Sequence, residues 1–332
     1  MLINPSLSIF MITLISGTLI SLSSSSWLGM WMGLELNLMS FIPIINKNKT
    51  PYETESAMKY FLVQAMASVL FLIGILMNEM TDFLMSSNTS YLISSALLMK
   101  MGAAPLHFWF PGVMEGIDWM NCFMLMTWQK VAPFVLISYK LMNNMIMIVI
   151  FISTFVGAVG GLNQNSIRKI MAYSSISHLG WMLSAMMISN NLWLIYFCIY
   201  SLLNMSMIYL FFNQSMFYLS QTYLMKTNPL IKFSMMISML SLAGLPPFLG
   251  FLPKWMMVIQ SLMMERSFIM VLFMVMTTLM TLYFYMRVMF SSFLFMNQEI
   301  KWKTTKLSSE LISLSMMLSI MGIPITTWLL LY

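Results

Sequence analysis

The sequence predicts an all-α polytopic membrane protein of about eleven transmembrane helices, built as two inverted five-helix repeats with discontinuous helices plus one C-terminal helix. Three observations predict it. Of 332 residues, 60% are apolar and only 8% are charged, against roughly 25% charged in a soluble domain. So few charges cannot cover a surface that faces water, so lipid must be the solvent. The apolar residues fall in runs long enough to cross a bilayer, which takes about 20 residues as a helix. Two of those runs, five apart in order, are broken by proline clusters next to a lysine, as in transporters with inverted repeats.

The candidate spans lie near 5–22, 26–45, 57–78, 89–107, 119–139, 144–162, 168–188, 191–215, 230–260, 268–292 and 310–331. A transmembrane β-barrel would need roughly 10-residue alternating strands, and these runs are longer and apolar on all sides. No polar linker divides the chain, which reads as one domain over 1–332, with repeat one near 5–139, repeat two near 144–292 and the C-terminal helix near 310–331. With eleven crossings, one side collects Lys47, Lys49, Lys59, Arg168, Lys169, Lys226, Lys232, Arg287, Lys301, Lys303 and Lys306; the other collects Lys140 and Arg266. The positive-inside rule makes the first side equivalent to the cytosol and puts the N-terminus there. The net charge of +6 forms no patch of its own, which argues against a nucleic-acid partner. The N-terminus opens directly into an apolar run, without the basic lead or cleavage site of a signal or transit peptide.

Four charges remain inside predicted spans: Glu35, Lys100, Lys130 and Lys254. A charge at mid-membrane costs about 2.5–3.5 kcal/mol on insertion scales, so four cost on the order of 10 kcal/mol before pairing. Lysine can snorkel to the interface, but the short side chain of Glu35 cannot. Spread over four helices, these charges point to a proton-conducting path. Glu35 and Lys100, on the second and fourth spans, are expected to lie within direct or water-bridged contact.

The helices that carry the lysines also carry the prolines. Lys100 precedes MGAAPLHFWFPG, with Pro105 and Pro111; Lys254 sits in SLAGLPPFLGFLPKW, with Pro246, Pro247 and Pro253; Lys130 is followed by Pro133. Breaks are expected near Gly102–Pro105 and Leu245–Pro253. Proline opens the helical ladder, and in lipid the freed carbonyls must find water, a neighbouring helix or an ion. In SIRKIMAYSSISHLGWM, His178 lies inside the seventh span with Ser174, Ser175 and Ser177 close by. Imidazole titrates near neutrality and can pass a proton between its nitrogens; an inert histidine bonded between helices is the alternative. His107, beside the first break, is a candidate gate or a gap-filler, and Ser174 and Ser175 are candidates for proton access. Gly157, Gly160 and Gly161 read as close helix packing.

The chain carries no dinucleotide fingerprint, P-loop or hydrolytic triad, and its two histidines and two cysteines could not hold a haem pair or an iron–sulfur cluster. Cys122 and Cys198 read as small buried hydrophobes. Methionine, 44 residues, stands largely where leucine or isoleucine would serve, as expected of animal mitochondrial coding. No cofactor or metal site is expected on this chain.

Taken in order, WMGLELNLMSFIP, KYFLVQAMAS, LLMKMGAAPLHFWFP, TWQKVAP, GGLNQNSIRKIMAYSSISHLGWM, GLPPFLGFLPKW and LYFYMR resemble the subunit 2 family of mitochondrial NADH:ubiquinone oxidoreductase, respiratory complex I, in an arthropod-like form. The resemblance covers almost the whole chain. It implies an antiporter-like membrane subunit that translocates protons, in a form lacking three N-terminal helices. NADH, FMN, iron–sulfur clusters and ubiquinone would be handled by other subunits. It further implies that Glu35 and Lys100 are the family's glutamate–lysine pair, Lys130 its central lysine and Lys254 the lysine of the second broken helix. The partners implied are other membrane-arm subunits and inner-membrane lipids, and the N-terminus would lie in the matrix with the C-terminus in the intermembrane space. One position departs: Gly112 follows Pro111 where the family often has an acid, with Glu115 and Asp118 as candidate substitutes. A stand-alone cation/proton antiporter and a purely structural membrane subunit are the competing readings.

Overall fold

Helices account for every regular element, and their order follows the apolar runs. The computed structural model describes residues 5–80, 86–224, 229–263 and 268–294, with Met316, Met317, Ser319, Ile320 and Pro324. The expected C-terminal helix at 310–331 lies almost wholly outside the described residues, as do Lys226, Arg266, Lys301, Lys303 and Lys306. The chain divides into two compact units, Met1–Val149 and Ile150–Tyr332.

The first unit contains α1 (Pro5–Ser23), α2 (Trp27–Ile45), α3 (Pro51–Met80), α4 (Ser86–Met101), α5 (Trp109–Gly116), α6 (Trp119–Met126) and α7 (Trp128–Tyr139). The hydroxyl of Ser26 caps α2 by accepting from Gly29 N at 3.2 Å. α3 starts at Pro51, the first-turn position where proline's missing N–H costs nothing. The loop ends gather in two groups. Asn48, after α2, donates to Glu53 at the start of α3 and to Asp118 before α6. Lys140, after α7, donates to Asn78 near the end of α3 and lies over the ring of Trp27, which opens α2. Helix α2 therefore runs antiparallel to α3 and to α6–α7, which run parallel to each other. The expected span at 119–139 is interrupted at Thr127, where Lys130 N bonds Thr127 O in a tightened three-residue turn.

The second unit is built from α8 (Asn143–Gly160), which crosses the division, α9 (Ile167–Ile188), α10 (Asn190–Asn213), α11 (Leu219–Leu224), α12 (Pro229–Ala243), α13 (Phe251–Met263) and α14 (Phe268–Leu294). A Cβ on Gly157 would stand 2.5 Å from Ser177 N, so this glycine lets α8 and α9 touch backbone to backbone, as the sequence suggests. Arg287 on α14 donates to the carbonyls of Leu162 and Gln164, just past the end of α8. Among the described residues no strand forms; Ser166 and Tyr218 make an isolated bridge.

Among the described residues, six helical spans are long and apolar enough to cross a membrane, and the stretches Leu7–Ser23 and Leu230–Ala243 are shorter apolar helices. The outer faces are apolar: Ile12, Met66 and Leu279 are exposed. The interiors hold polar groups, among them Asn37, Gln64, Lys100, Lys130, His178 and Lys254. That distribution suits lipid. Cys122 is buried, but Cys198 is exposed, which corrects the expectation for that residue. The buried stripe of α10 runs through Leu192, Tyr196, Tyr200 and Leu203, and Cys198, about 200° around from Tyr196, falls on the opposite face.

The second break is also shorter than expected. It runs from Gly244 to Gly250, and Pro253 belongs to the first turn of α13, where no intrahelical bond is lost. A Cβ on Gly250 would come within 1.8 Å of Ser241 O. We predict that Gly250→Ala forces the break apart at a cost of about 1–3 kcal/mol or more. A lowered melting temperature of the assembled membrane complex would register it, and an unchanged one would contradict the close approach.

Candidate functional site

Both broken helices stop in the same way. At the end of α4, Gly102 N bonds Met99 O and Ala103 N bonds Leu98 O. At the end of α12, Gly244 N bonds Ser241 O and Leu245 N bonds Leu240 O. Each is a Schellman motif with glycine in the left-handed region, at φ 74° for Gly102 and 80° for Gly244. Prolines follow within three residues in each case, so neither helix can resume at once.

The carbonyls left over by these endings need donors. In the first unit, Lys100 O accepts from Gln64 Nε2 at 3.1 Å and Met99 O accepts a second bond from Trp109 Nε1 at 3.2 Å. Lys100 then lines a small cavity of about 20 Å³, room for about one water, shared with Lys130, Tyr60, Gln64 and Gln129. Lys130 is 1% exposed, and its ammonium lies 5.1 Å from the ring centroid of Phe110, above the ring face. Gln129 is fixed at both ends: its Nε2 donates to Asn37 Oδ1 at 2.8 Å, and its Oε1 accepts from Tyr60 Oη at 3.5 Å. Two lysines therefore border one small cavity whose walls mix neutral hydrogen-bonding groups (Asn37, Tyr60, Gln64 and Gln129) with apolar side chains.

Glu35 does not close an ion pair with Lys100. Lys59 and Glu55 form an ion pair on the surface. Glu35 Oε1 is buried without a hydrogen-bond partner, and the carboxylate acts on Lys100 and Tyr60 through its field. The helix explains why. Leu34, Asn37 and Leu38, spaced i, i+3 and i+4, line the cavity, and Glu35 stands about 100° off that stripe, half-buried.

In the second unit, Lys254 reaches back from α13 and donates to Ala243 O, the last carbonyl of α12, at 2.8 Å. An ammonium at a helix C-terminus sits where the helix dipole favours it. A Cβ on Gly244 would stand 3.0 Å from Lys254 Nζ, so the glycine also leaves room for the lysine. Trp181 of α9 places its ring 5.8 Å from the same ammonium. One turn earlier on α9, His178 Nδ1 lies 2.9 Å from Tyr196 Oη. Ser174 and Ser175 are buried and donate to their own helix, at Met171 O and Ala172 O.

His107 is buried in the segment between α4 and α5, with Nδ1 3.2 Å from Pro105 O and its ring against Phe108. It does not line the lysine cavity. A Cβ on Gly112 meets open space; nearby, Asp118 shares Asn48 with Glu53. Sequence reasoning passed over Asn37, Tyr60, Gln64 and Gln129. Tyr60 and Gln64, at i and i+4 in an otherwise apolar run, were a signal that could have found half of them.

The family model described as NADH:quinone oxidoreductase/Mrp antiporter, transmembrane region, matches residues 24–281. NADH-ubiquinone oxidoreductase chain 2 of Anopheles gambiae is 52% identical over 304 residues, which cover 89% of this chain and 88% of that protein. The chain 2 of Locusta migratoria is 48% identical over 329 residues, 96% of this chain and 95% of that one. Among solved structures, a chain of respiratory complex I from Thermus thermophilus with bound aureothin superposes with a TM-score of 0.84. It covers 97% of this chain and 77% of the other at 21% identity, a likeness of fold.

Removing the Gln129 amide strands Asn37 and Tyr60 in a buried site. We predict that Gln129→Leu destabilises the first unit by about 1–3 kcal/mol. Because Asn37 has by then lost its partner, adding Asn37→Leu should cost much less than it does alone. Denaturation of the singles and the double would read this, and full additivity would contradict the shared bond.

Proposed function

The chain belongs to the family of NADH-ubiquinone oxidoreductase chain 2, and from that premise we propose that it is a core membrane subunit of respiratory complex I that moves protons across the mitochondrial inner membrane. On this reading electron transfer from NADH to ubiquinone is performed by other subunits, which hold the FMN and iron–sulfur clusters. The observation that carries the proposal is the pair of buried lysines, Lys100 and Lys130, on one small cavity inside a unit whose outer face is apolar. A structural subunit gains nothing from two buried cations facing each other across such a space.

The proposed path takes Glu35, Lys100 and Lys130 in the first unit and His178 and Lys254 in the second. Water in the cavity would carry a proton between Lys100 and Lys130, since an amide such as Gln129 binds water but does not itself pass protons on readily. The Glu35 charge attracts the Lys100 ammonium. Movement of that ammonium towards Lys130 weakens the attraction, which gives two states that redox energy could bias. His107, Ser174 and Ser175 remain candidates for a gate or access route. The matching Schellman endings, with the lysine before one break and after the other, support two inverted five-helix repeats and, with the helix at 310–331, eleven spans. The lysine and arginine asymmetry supports a matrix N-terminus and a C-terminus in the intermembrane space. Other membrane-arm subunits and inner-membrane lipids are the proposed partners of the apolar outer faces.

Two measurements test this. On a native gel the chain should co-migrate with NADH dehydrogenase activity; a chain that migrates apart from that activity would be a stand-alone antiporter. In assembled complex, Lys130→Met should lower the protons pumped per electron while NADH oxidation by the peripheral part persists. Pumping at the full ratio would remove Lys130 from the path.

A further inference from the structure

Three tyrosine hydroxyls lie buried around His178, and none belongs to the path proposed above. Tyr196, Tyr200 and Tyr285 are 2%, 3% and 1% exposed. Tyr196, Tyr200 and Asn204 follow one another at i, i+4 and i+8 along α10 and so share one face. That face meets α9 where it carries Ser174, Ser175 and His178. Tyr196 Oη touches His178 Nδ1, and the Tyr200 ring lies 5.1 Å from the imidazole. Ser175 and Asn204 are the polar neighbours of the buried Tyr200 hydroxyl. From α14, the buried Tyr285 hydroxyl has Ser174 as its polar neighbour. His178, Tyr196 and Tyr200 together border a small cavity that also reaches Gly250 and Pro253, the residue before Lys254.

The chemistry of the partners is suited to passing protons. A hydroxyl both donates and accepts, so Tyr196 can give a hydrogen bond to neutral imidazole Nδ1 and take one from imidazolium. A carboxylate fits only the protonated nitrogen and a backbone N–H only the bare one. Ser174 and Ser175 spend their single protons on their own helix, which leaves their oxygens as acceptors facing the phenols. Burying a hydroxyl in an apolar setting has a cost that phenylalanine would avoid, and this chain uses phenylalanine at 24 positions.

We propose that Tyr196, Tyr200 and Tyr285 form a hydroxyl relay that carries protons to and from His178, with Asn204 and the Ser174–Ser175 oxygens as fixed polar groups that orient the phenols. In the relay step the imidazolium Nδ1–H bond breaks as a bond forms to Tyr196 Oη. The phenol's own proton leaves at the same moment to a water or to the next hydroxyl oxygen, and rotation of the hydroxyl resets it. No net charge stays on any tyrosine. The relay rests on the reading of His178 as a proton carrier.

The test uses assembled complex in sealed vesicles, with NADH-driven proton uptake and the solvent deuterium isotope effect as readouts. Tyr196→Phe keeps the ring and removes one oxygen. It should depress pumping as much as His178→Gln, with the double variant no worse than either single, and should slow proton transfer roughly tenfold or more, so that the isotope effect rises. A merely structural tyrosine would leave the isotope effect unchanged. Normal pumping in Tyr196→Phe beside a defect in His178→Gln overturns the relay and leaves His178 standing. Normal pumping in His178→Gln overturns that reading and the relay with it. If Tyr196→Phe does not assemble, Tyr200→Phe decides on the same criteria, and failure of both to assemble assigns the hydroxyls to scaffolding.

Discussion

A helix that ends inside a bilayer leaves carbonyls with no water to bond them, and each must be met by a donor from the protein. At the end of α12 that donor is the Lys254 ammonium on Ala243 O. The contact ties together features that are separate in the sequence. Gly244 must adopt positive φ to turn the chain and must lack a Cβ to admit the lysine. Gly250 must lack one for the returning chain to pass Ser241. Pro246 and Pro247 keep the chain from continuing as helix. The dipole of α12 gives a buried cation a favourable site, and the same site leaves the lysine one hydrogen bond away from a backbone group that holds it in place.

The end of α4 meets the same constraint with different donors. Gln64 and Trp109 supply the bonds to the Lys100 and Met99 carbonyls, which leaves Lys100 to border the cavity it shares with Lys130. Two breaks of one backbone design thus hold their lysines differently: Lys254 as the cap itself, Lys100 released from capping. On the proposed function, a proton would load Lys100 without disturbing the helix end, whereas loading or unloading Lys254 would change the bond that closes its own break.

Much of this was legible in the sequence for a physical reason. Apolar length, proline and glycine act locally, so MGAAP and AGLPP announce the breaks at the right residues, and lysine is too costly in lipid to be placed idly. What the sequence concealed is which face of a helix a residue takes once tertiary contacts decide. Glu35 and Lys100 look like an ion pair from depth alone, yet the cavity stripe of α2 passes through Asn37 and leaves Glu35 to the side. Asn37, Tyr60, Gln64 and Gln129 are unremarkable singly; they matter once Asn37, Gln129 and Tyr60 bond in a chain across α2, α7 and α3 and Gln64 meets the end of α4. Cys198 went astray for the same reason, since an apolar neighbourhood in sequence does not distinguish an inner face from an outer one.

The neutral polar groups differ between the two units in a way that bears on how each can conduct. Around Lys100 and Lys130 most of them are amides, which orient water but do not exchange protons readily, and beside them is a space for that water. Around His178 they are hydroxyls, closely packed and buried, which can give and take a proton in one motion. A water-filled cavity can be emptied or filled by a small movement of its walls, and its conduction then depends on hydration. A chain of fixed hydroxyls conducts by rotation and is sensitive instead to the loss of a single oxygen. If the proposed paths carry protons, the first unit should respond to anything that changes cavity volume and the second to the hydrogen-bond direction that His178 and Tyr196 share.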